Sequence, residues 1–229
     1  LPKEYCFFMH HLSTSLFFPP VDSASPEGIL AFGGDLSRER LLMAYHLGIF
    51  PWFDQDDPIL WWAPPRRMVV VPAWYKAHKS VKSLLKKEVF QVTFNRDFEQ
   101  VILGCQQVKR KNQNGTWLTD KMMESYLDLH RIGVAKSVEV WQENQLVGGL
   151  YGVDLGHVFT GESMFSKVPN VSKVAFVWLA EKLKQENYQL LDCQVYNDHL
   201  AHLGAFEIDR DVFMEILQKK SRIKNITSP

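Results

Sequence analysis

Leu190-Leu191-Asp192-Cys193-Gln194-Val195-Tyr196-Asn197-Asp198-His199-Leu200 is the stretch on which the reading of this chain turns. Its apolar first half predicts a buried strand. Side chains alternate faces along a strand, so Leu190, Asp192 and Gln194 are expected on one face and Leu191, Cys193 and Val195 on the other. A carboxylate and an amide then share a face. Burying such groups without partners costs about 1–3 kcal/mol each, and more for a charge, so either a local network satisfies them or they line a pocket where a ligand does. Downstream, Asn197 is placed to cap a short helix whose inward side carries Leu200 and Leu203. Gly204 ends that helix, and residues 205–208 read as a returning strand.

The 229 residues are long enough for one large domain or for a small domain joined to a medium one, and a hydrophobic content of 46% supplies a core. The formal net charge is zero, so any polyanion site must come from a local cluster. Cys6, Cys105 and Cys193 are too few and too scattered for a disulfide framework or a cysteine zinc site, which predicts a reducing, cytoplasmic setting. No histidine spacing points to a metal site. No apolar run reaches membrane-spanning length, and residues 1–16 lack the layout of a secretory signal.

Residues 17–34 are rich in Pro, Gly and Ser and predict loops with one short strand at 29–32. Ser37 is a helix cap for the segment carrying Leu41, Leu42, Tyr45 and Leu47, which Gly48 ends. Ile49-Phe50-Pro51-Trp52-Phe53 and Ile59-Leu60-Trp61-Trp62 predict a wall of rings, either a binding slot or the core of a small domain. Pro64-Pro65-Arg66-Arg67 reads as a linker dividing a small N-terminal α+β domain, residues 1–65, from a larger one, residues 66–229. Residues 74–87 follow a helical period, with Lys79, Lys82 and Lys86 on one side, Lys76 and Lys87 beside them, and Ala77, Val81, Leu84 and Leu85 opposite. Such a stripe is either a solvated face or a grip on a phosphate backbone. A strand at 89–94 follows, then a helix capped by Asn95 and a second capped by Thr119. Three strand signals come in succession at 137–141, 146–153 and 157–165, which predicts an antiparallel meander. A helix from Ser172, apolar almost all round, is expected to lie buried against it. The expected class is α+β with a mostly antiparallel sheet.

The strand, capped helix, Gly-Ala-Phe and strand around residue 192 resemble the last third of the GNAT-type acyltransferase fold. A more specific resemblance rests on segments that follow one another in register. These are Gly33-Gly34-Asp35-Leu36-Ser37, Gly48-Ile49-Phe50-Pro51-Trp52-Phe53, Pro58-Ile59-Leu60-Trp61-Trp62, Gly115-Thr116-Trp117 and Ser137-Val138-Glu139-Val140-Trp141 in the first part. Leu146-Val147-Gly148-Gly149-Leu150-Tyr151-Gly152-Val153, Gly161-Glu162-Ser163-Met164-Phe165-Ser166 and Asp192-Cys193-Gln194-Val195 complete the set. Together they resemble the leucyl/phenylalanyl-tRNA–protein transferase family over nearly everything from Phe18 to Leu217.

The resemblance implies a small N-terminal domain, a GNAT-like catalytic domain, and no metal or other cofactor. It implies a cytoplasmic enzyme, expected to be monomeric, that moves Leu, Phe or, less readily, Met from aminoacyl-tRNA to the N-terminal Arg or Lys of a protein, marking that protein for N-degron degradation. It places the catalytic pair on Asp192 and Gln194, with Glu162 as an acidic contact near the reacting amine. The aminoacyl side-chain pocket carries over to Trp52, Trp117, Leu150 and Phe159, and the tRNA-binding helix to Lys79, Lys82, Lys86 and Lys87. Leu150 stands where some relatives carry Met, and Pro65-Arg66 replaces an Asp-Pro of the family's linker.

The residue chemistry fits. An aminoacyl ester is already activated, so no covalent nucleophile is required and aligning two bound reactants supplies much of the acceleration. An amide is too weakly basic to hold a proton, so Gln194 is expected to orient the attacking amine by accepting its N–H, with Asp192 holding and polarising Gln194 or offsetting the ammonium charge. Two other readings compete. An acyl-CoA-dependent N-acetyltransferase usually needs a glycine-containing phosphate loop before its central helix, and residues 166–172 contain no glycine. A non-catalytic RNA-binding module suits the lysines and aromatics but leaves Asp192, Gln194 and Glu162 unexplained.

Overall fold

The structure, a computed structural model, describes residues 10–77, 79–85, 89–107 and 118–219, with Ser80 described by its backbone alone. Among them the strands form two sheets. The first takes β1 (His10–Leu12), β2 (Ile29–Gly33), β3 (Phe50–Pro51) and β4 (Leu60–Trp62) in the order β1-β2-β4-β3, with helix α1 (Arg38–His46) between β2 and β3. Ser37 caps α1 as its sequence position requires, its hydroxyl accepting the Arg40 N–H at 3.4 Å. Gly48 turns the chain out of the helix at φ 72, and a Cβ there would meet the Met214 sulfur at 2.6 Å. The ring-rich segments are largely core: Phe50 and Trp61 are fully buried in it.

The second sheet begins with β5 (Arg66–Val70). After α2 (Lys79–Leu85) come β6 (Gln91–Phe94), α3 (Phe98–Gln106) and α4 (Asp120–Arg131), then the meander β7 (Ala135–Gln142), β8 (Gln145–Asp154) and β9 (Val158–Ser166). Helix α5 (Val171–Gln185) leads into β10 (Leu190–Gln194), followed by α6 (Asp198–His202), β11 (Phe206–Asp209) and α7 (Arg210–Leu217). The strand order is β11-β5-β10-β9-β8-β7-β6. The meander is antiparallel, as its turn residues dictate, and so is every other neighbouring pair in this sheet except β9 and β10. A parallel pair needs a crossover, and α5 provides it. Val174, Ala175, Phe176, Val177 and Leu179 bury α5 against one face of the sheet. Phe98 and Val101 of α3 and Met122 and Tyr126 of α4 cover the other face, in one continuous core with Leu41, Phe50 and Trp61 of the first sheet. The class is therefore α+β with a mostly antiparallel sheet.

Three local expectations are corrected. Pro72–Trp74 forms a 3-10 turn and Tyr75 is extended, so the lysine helix starts at Lys79 instead of Trp74. Asp97 caps α3, while Asn95 sits at φ 57 and its side-chain oxygen accepts the Ser137 N–H at 2.9 Å across to β7. Arg66-Arg67 is no linker but the start of β5, because its ladders with β10 and β11 recruit the residues that follow the two prolines.

Alternation along β5 sends Arg66 out and Arg67 in. Arg66 pairs with Asp209 at 2.6 Å, both exposed. Arg67, 2% exposed, meets the fully buried Asp192 in a two-pronged pair, Nε to Oδ1 at 2.8 Å and Nη2 to Oδ2 at 2.7 Å. Its remaining nitrogen donates to the Gly48 carbonyl at 3.1 Å, and its guanidinium lies 4.7 Å from the Phe50 ring centroid and 4.6 Å from that of Phe213. Removing one member of such a pair leaves the other charged and unpartnered inside the protein. Arg67→Ala is thus expected to cost about 3–5 kcal/mol in urea unfolding, and Arg66→Ala no more than about 1 kcal/mol; equal losses would show that the inner pair holds nothing.

Candidate active site

The β9–β10 ladder runs only from Leu190 opposite Val158 to Asp192 opposite Thr160. Beyond it each strand carries a bulge. On β9, Tyr151 of β8 faces Ser163 and Gly152 faces Gly161, so Glu162 is the extra residue. On β10, Asp192 faces Val69 and Gln194 faces Met68, so Cys193 is the extra residue. Bulges re-aim side chains and end pairing. Here the two strands part, and residues 161–164 and 193–195 line the same opening.

That opening is a cavity of about 390 Å³. Its apolar wall includes Phe50, Trp52, Leu150, Met164, Phe176 and Leu179, and Glu162 and Gln194 supply polar groups. Size and composition suit a small apolar group presented to a few fixed polar atoms. Trp52, 36% exposed, stands at its edge, its carbonyl taking the Trp62 indole N–H at 2.6 Å.

Glu162 and Gln194 are joined. The Gln194 amide donates to Glu162 Oε1 at 3.0 Å, and no described residue donates to its own carbonyl oxygen. The Tyr126 hydroxyl donates to Glu162 Oε2 at 2.8 Å, and the Tyr45 hydroxyl stands 2.6 Å from that of Tyr126. Burial pushes the Glu162 carboxyl up to about 7, even though the two tyrosine hydroxyls favour its charged form. Burial also raises Tyr45 and Tyr126 well above the ordinary phenol range, so both remain protonated donors. The Cys193 thiol, likewise raised by burial, is no thiolate, and the cavity offers no activated sulfur nucleophile. Among the described residues no group of three or more His, Cys, Asp or Glu is placed to hold a metal ion.

The expected site residues fall into four groups. Gln194, Glu162, Trp52 and Leu150 come together around the cavity. Asp192 and Phe159 do not. Asp192 is sealed, with both oxygens on Arg67 and Oδ1 also accepting the backbone N–H of Gln194 at 2.9 Å. The expected shared face of Asp192 and Gln194 is broken by the bulge, which puts Gln194 at φ 64 and turns its side chain to the cavity. Phe159 is buried against Gly152, where a Cβ would lie 2.4 Å from its ring. Trp117, Lys86 and Lys87 lie outside the described residues, while Lys79 and Lys82 are exposed on α2.

Sequence reasoning missed Arg67, Tyr45 and Tyr126. Arg67 was masked by the two prolines before it, although period-two alternation from Arg66 to Met68 would have turned it inward. The tyrosines stood on the inward faces of predicted helices, where a ring reads as core, and nothing local shows that their hydroxyls meet a carboxylate from β9.

The family described as leucyl/phenylalanyl-tRNA protein transferase matches residues 69–218, and its N-terminal domain matches residues 34–65. A leucyl/phenylalanyl-tRNA–protein transferase of Flavobacterium johnsoniae is 60% identical over 212 residues, spanning 93% of this chain and 100% of its own length. That of Flavobacterium psychrophilum is 54% identical over 211 residues, spanning 92% and 100%. Among solved structures, a ribosomal-protein-alanine N-acetyltransferase from Brucella melitensis biovar Abortus 2308 overlaps 44% of this chain and 75% of its own, at 15% identity and a TM-score of 0.32. With the family's match running through both bulged strands and through β3 and β4 of the first sheet, the chain belongs to the leucyl/phenylalanyl-tRNA–protein transferase family and is an aminoacyltransferase.

Proposed function

We propose that this enzyme moves Leu or Phe, and less readily Met, from aminoacyl-tRNA to the N-terminal Arg or Lys of a protein, forming a peptide bond that marks it for N-degron degradation. The observation that carries this reading is the cavity between the parted strands, with the linked Glu162 and Gln194 beside an apolar wall of Trp52 and Leu150. The wall receives the donor's side chain and selects by size and shape, at about 1–3 kcal/mol per methylene. The reacting ester and amine meet at the polar pair.

Holding both reactants in one orientation supplies much of the rate. The free amide oxygen of Gln194 accepts an N–H of the attacking amine, because the other end of that amide is committed to Glu162. Glu162 holds the amine while it is still charged. Asp192 acts as a positioning residue. It touches no substrate, and its carboxylate fixes the backbone N–H from which Gln194 reaches the cavity. The exposed Lys79 and Lys82 of α2 meet the tRNA backbone. Residues 1–65 serve as a small N-terminal domain supplying Phe50 and Trp52 to the site, residues 66–229 form the catalytic domain, and the enzyme works as a cytoplasmic monomer.

Labelled Phe on tRNA, mixed with a peptide beginning with Arg, is expected to pass to the peptide without CoA or ATP; labelling of the same peptide with its N-terminus acetylated would sink the reading. Gln194→Ala is expected to lower kcat by about 10- to 100-fold, with KM for the aminoacyl-tRNA within about threefold of wild type. Equal losses in both would take Gln194 away from the reacting amine. Charge reversal at Lys79 and Lys82 is expected to weaken tRNA binding and flatten its dependence on salt in a filter-binding titration. An unchanged slope would remove α2 from the tRNA surface.

A further inference from the structure

We propose that the Glu162 carboxylate takes the proton that the attacking ammonium must lose, and that Tyr45 and Tyr126 are positioning residues that hold this carboxylate ready; the inference rests on the aminoacyl-transfer reading above. The α-amine of a peptide has a pKa near about 8, so at neutral pH roughly nine-tenths of it arrives as an ammonium with no lone pair to attack. Some group has to remove a proton. Gln194 is an amide and cannot hold one. Asp192 is sealed, and Arg67 takes both its oxygens. Cys193 is a protonated thiol. His199 lines the cavity on α6, but its imidazole hydrogen-bonds to neither Gln194 nor any other described residue. Glu162 is at the cavity, in hydrogen-bond contact with the side chain that orients the amine.

The groups around Glu162 come from five elements, and their sense can be worked out. Tyr126 of α4 has one proton, and it is given to Glu162 Oε2; the Tyr126 oxygen therefore accepts from Tyr45 of α1. The Tyr126 ring is held edge-on to Tyr151 of β8, with centroids 5.2 Å apart. Asp192 of β10 raises the Glu162 carboxyl and Arg67 of β5 lowers it, so the two halves of the buried pair oppose each other there. What remains is burial, which favours the acid, against two tyrosine donors in series, which favour the base. A group poised between them near neutral pH is what proton transfer at neutral pH requires.

The step balances without a further reactant. An N–H bond of the ammonium breaks and an O–H bond forms on Glu162. The freed lone pair attacks the ester carbonyl. As the C–O bond to the tRNA ribose breaks, a second nitrogen proton leaves with the ribose oxygen, and Glu162 returns its proton to water.

The test is the pH dependence of kcat/KM for an Arg-initiated peptide at saturating Phe-tRNA. Wild type is expected to lose activity below an acid limb near 7, where Glu162 becomes protonated. Tyr126→Phe, and Tyr45→Phe with Tyr126→Phe so that no hydroxyl is orphaned, remove donors to the charged form. They should move the limb up by about one pH unit, a loss of about tenfold near pH 6 and under about threefold near pH 8.5. Glu162→Gln should abolish that limb, leaving the rate to follow free amine and its pKa of about 8. A uniform drop at every pH in the tyrosine variants, a limb near 7 that survives in Glu162→Gln, or a limb near 7 displaced by His199→Gln would overturn the proposal. Absence of any transfer by the wild-type enzyme would instead sink the reading on which it rests.

Discussion

The site depends on one buried ion pair. Taking a guanidinium and a carboxylate out of water costs several kcal/mol each, and the cost is met here by two parallel hydrogen bonds, a third to the Gly48 carbonyl, and the faces of Phe50 and Phe213. The pair ties β5 to β10 and holds the turn after α1 and the helix α7 against them. Asp192 gives its remaining capacity to the Gln194 N–H. A non-glycine residue at φ 64 is strained, and this hydrogen bond is what keeps Gln194 there.

From that constraint the cavity follows. Two strands that would otherwise continue their ladder each gain one residue, and a sheet whose hydrogen bonds stop abruptly opens a cleft. The extra residue on β9 is Glu162, and the one on β10 displaces Gln194 from the strand's alternation, so the polar groups arrive from the same irregularity that makes the space. Glycines permit the close approach beside it. At Gly152 a Cβ would sit 2.2 Å from the Thr160 carbonyl, so no larger residue fits between β8 and β9 at the start of the opening.

The first sheet is part of the site as much as of the scaffold. Phe50 and Trp52 line the cavity, and Tyr45 reaches Tyr126 from α1, so the hydrogen-bonded line from Tyr45 through Glu162 to Gln194 crosses from one sheet to the other. One continuous core lies beneath them and packs the two sheets together. A carboxylate held by two hydrogen bonds, one of them backed by a second tyrosine, keeps its oxygens in place, which is the pre-organisation that group transfer between two bound reactants needs.

Much of this protein was legible in its residues, because the signals are local. Ser37, Thr119 and Asn197 cap the helices they were expected to cap, and the meander's turns fall where Glu143-Asn144 and Gly156 place them. Alternation also drew attention to Asp192 and Gln194. Their division of labour was decided elsewhere. Whether a strand carboxylate is a reacting group or a sealed anchor depends on which cation lies opposite it, and Arg67 is 125 residues away along the chain. A bulge depends on the register of two ladders at once, and no pattern within β10 announces it. The meeting of Tyr45 with Tyr126 joins residues 81 apart, each indistinguishable from core when read along its own helix. Local composition fixes where helices and strands form, since capping, turning and periodicity act within a few residues. The partner of a buried polar group is set by packing between distant segments, so only the folded chain assigns it.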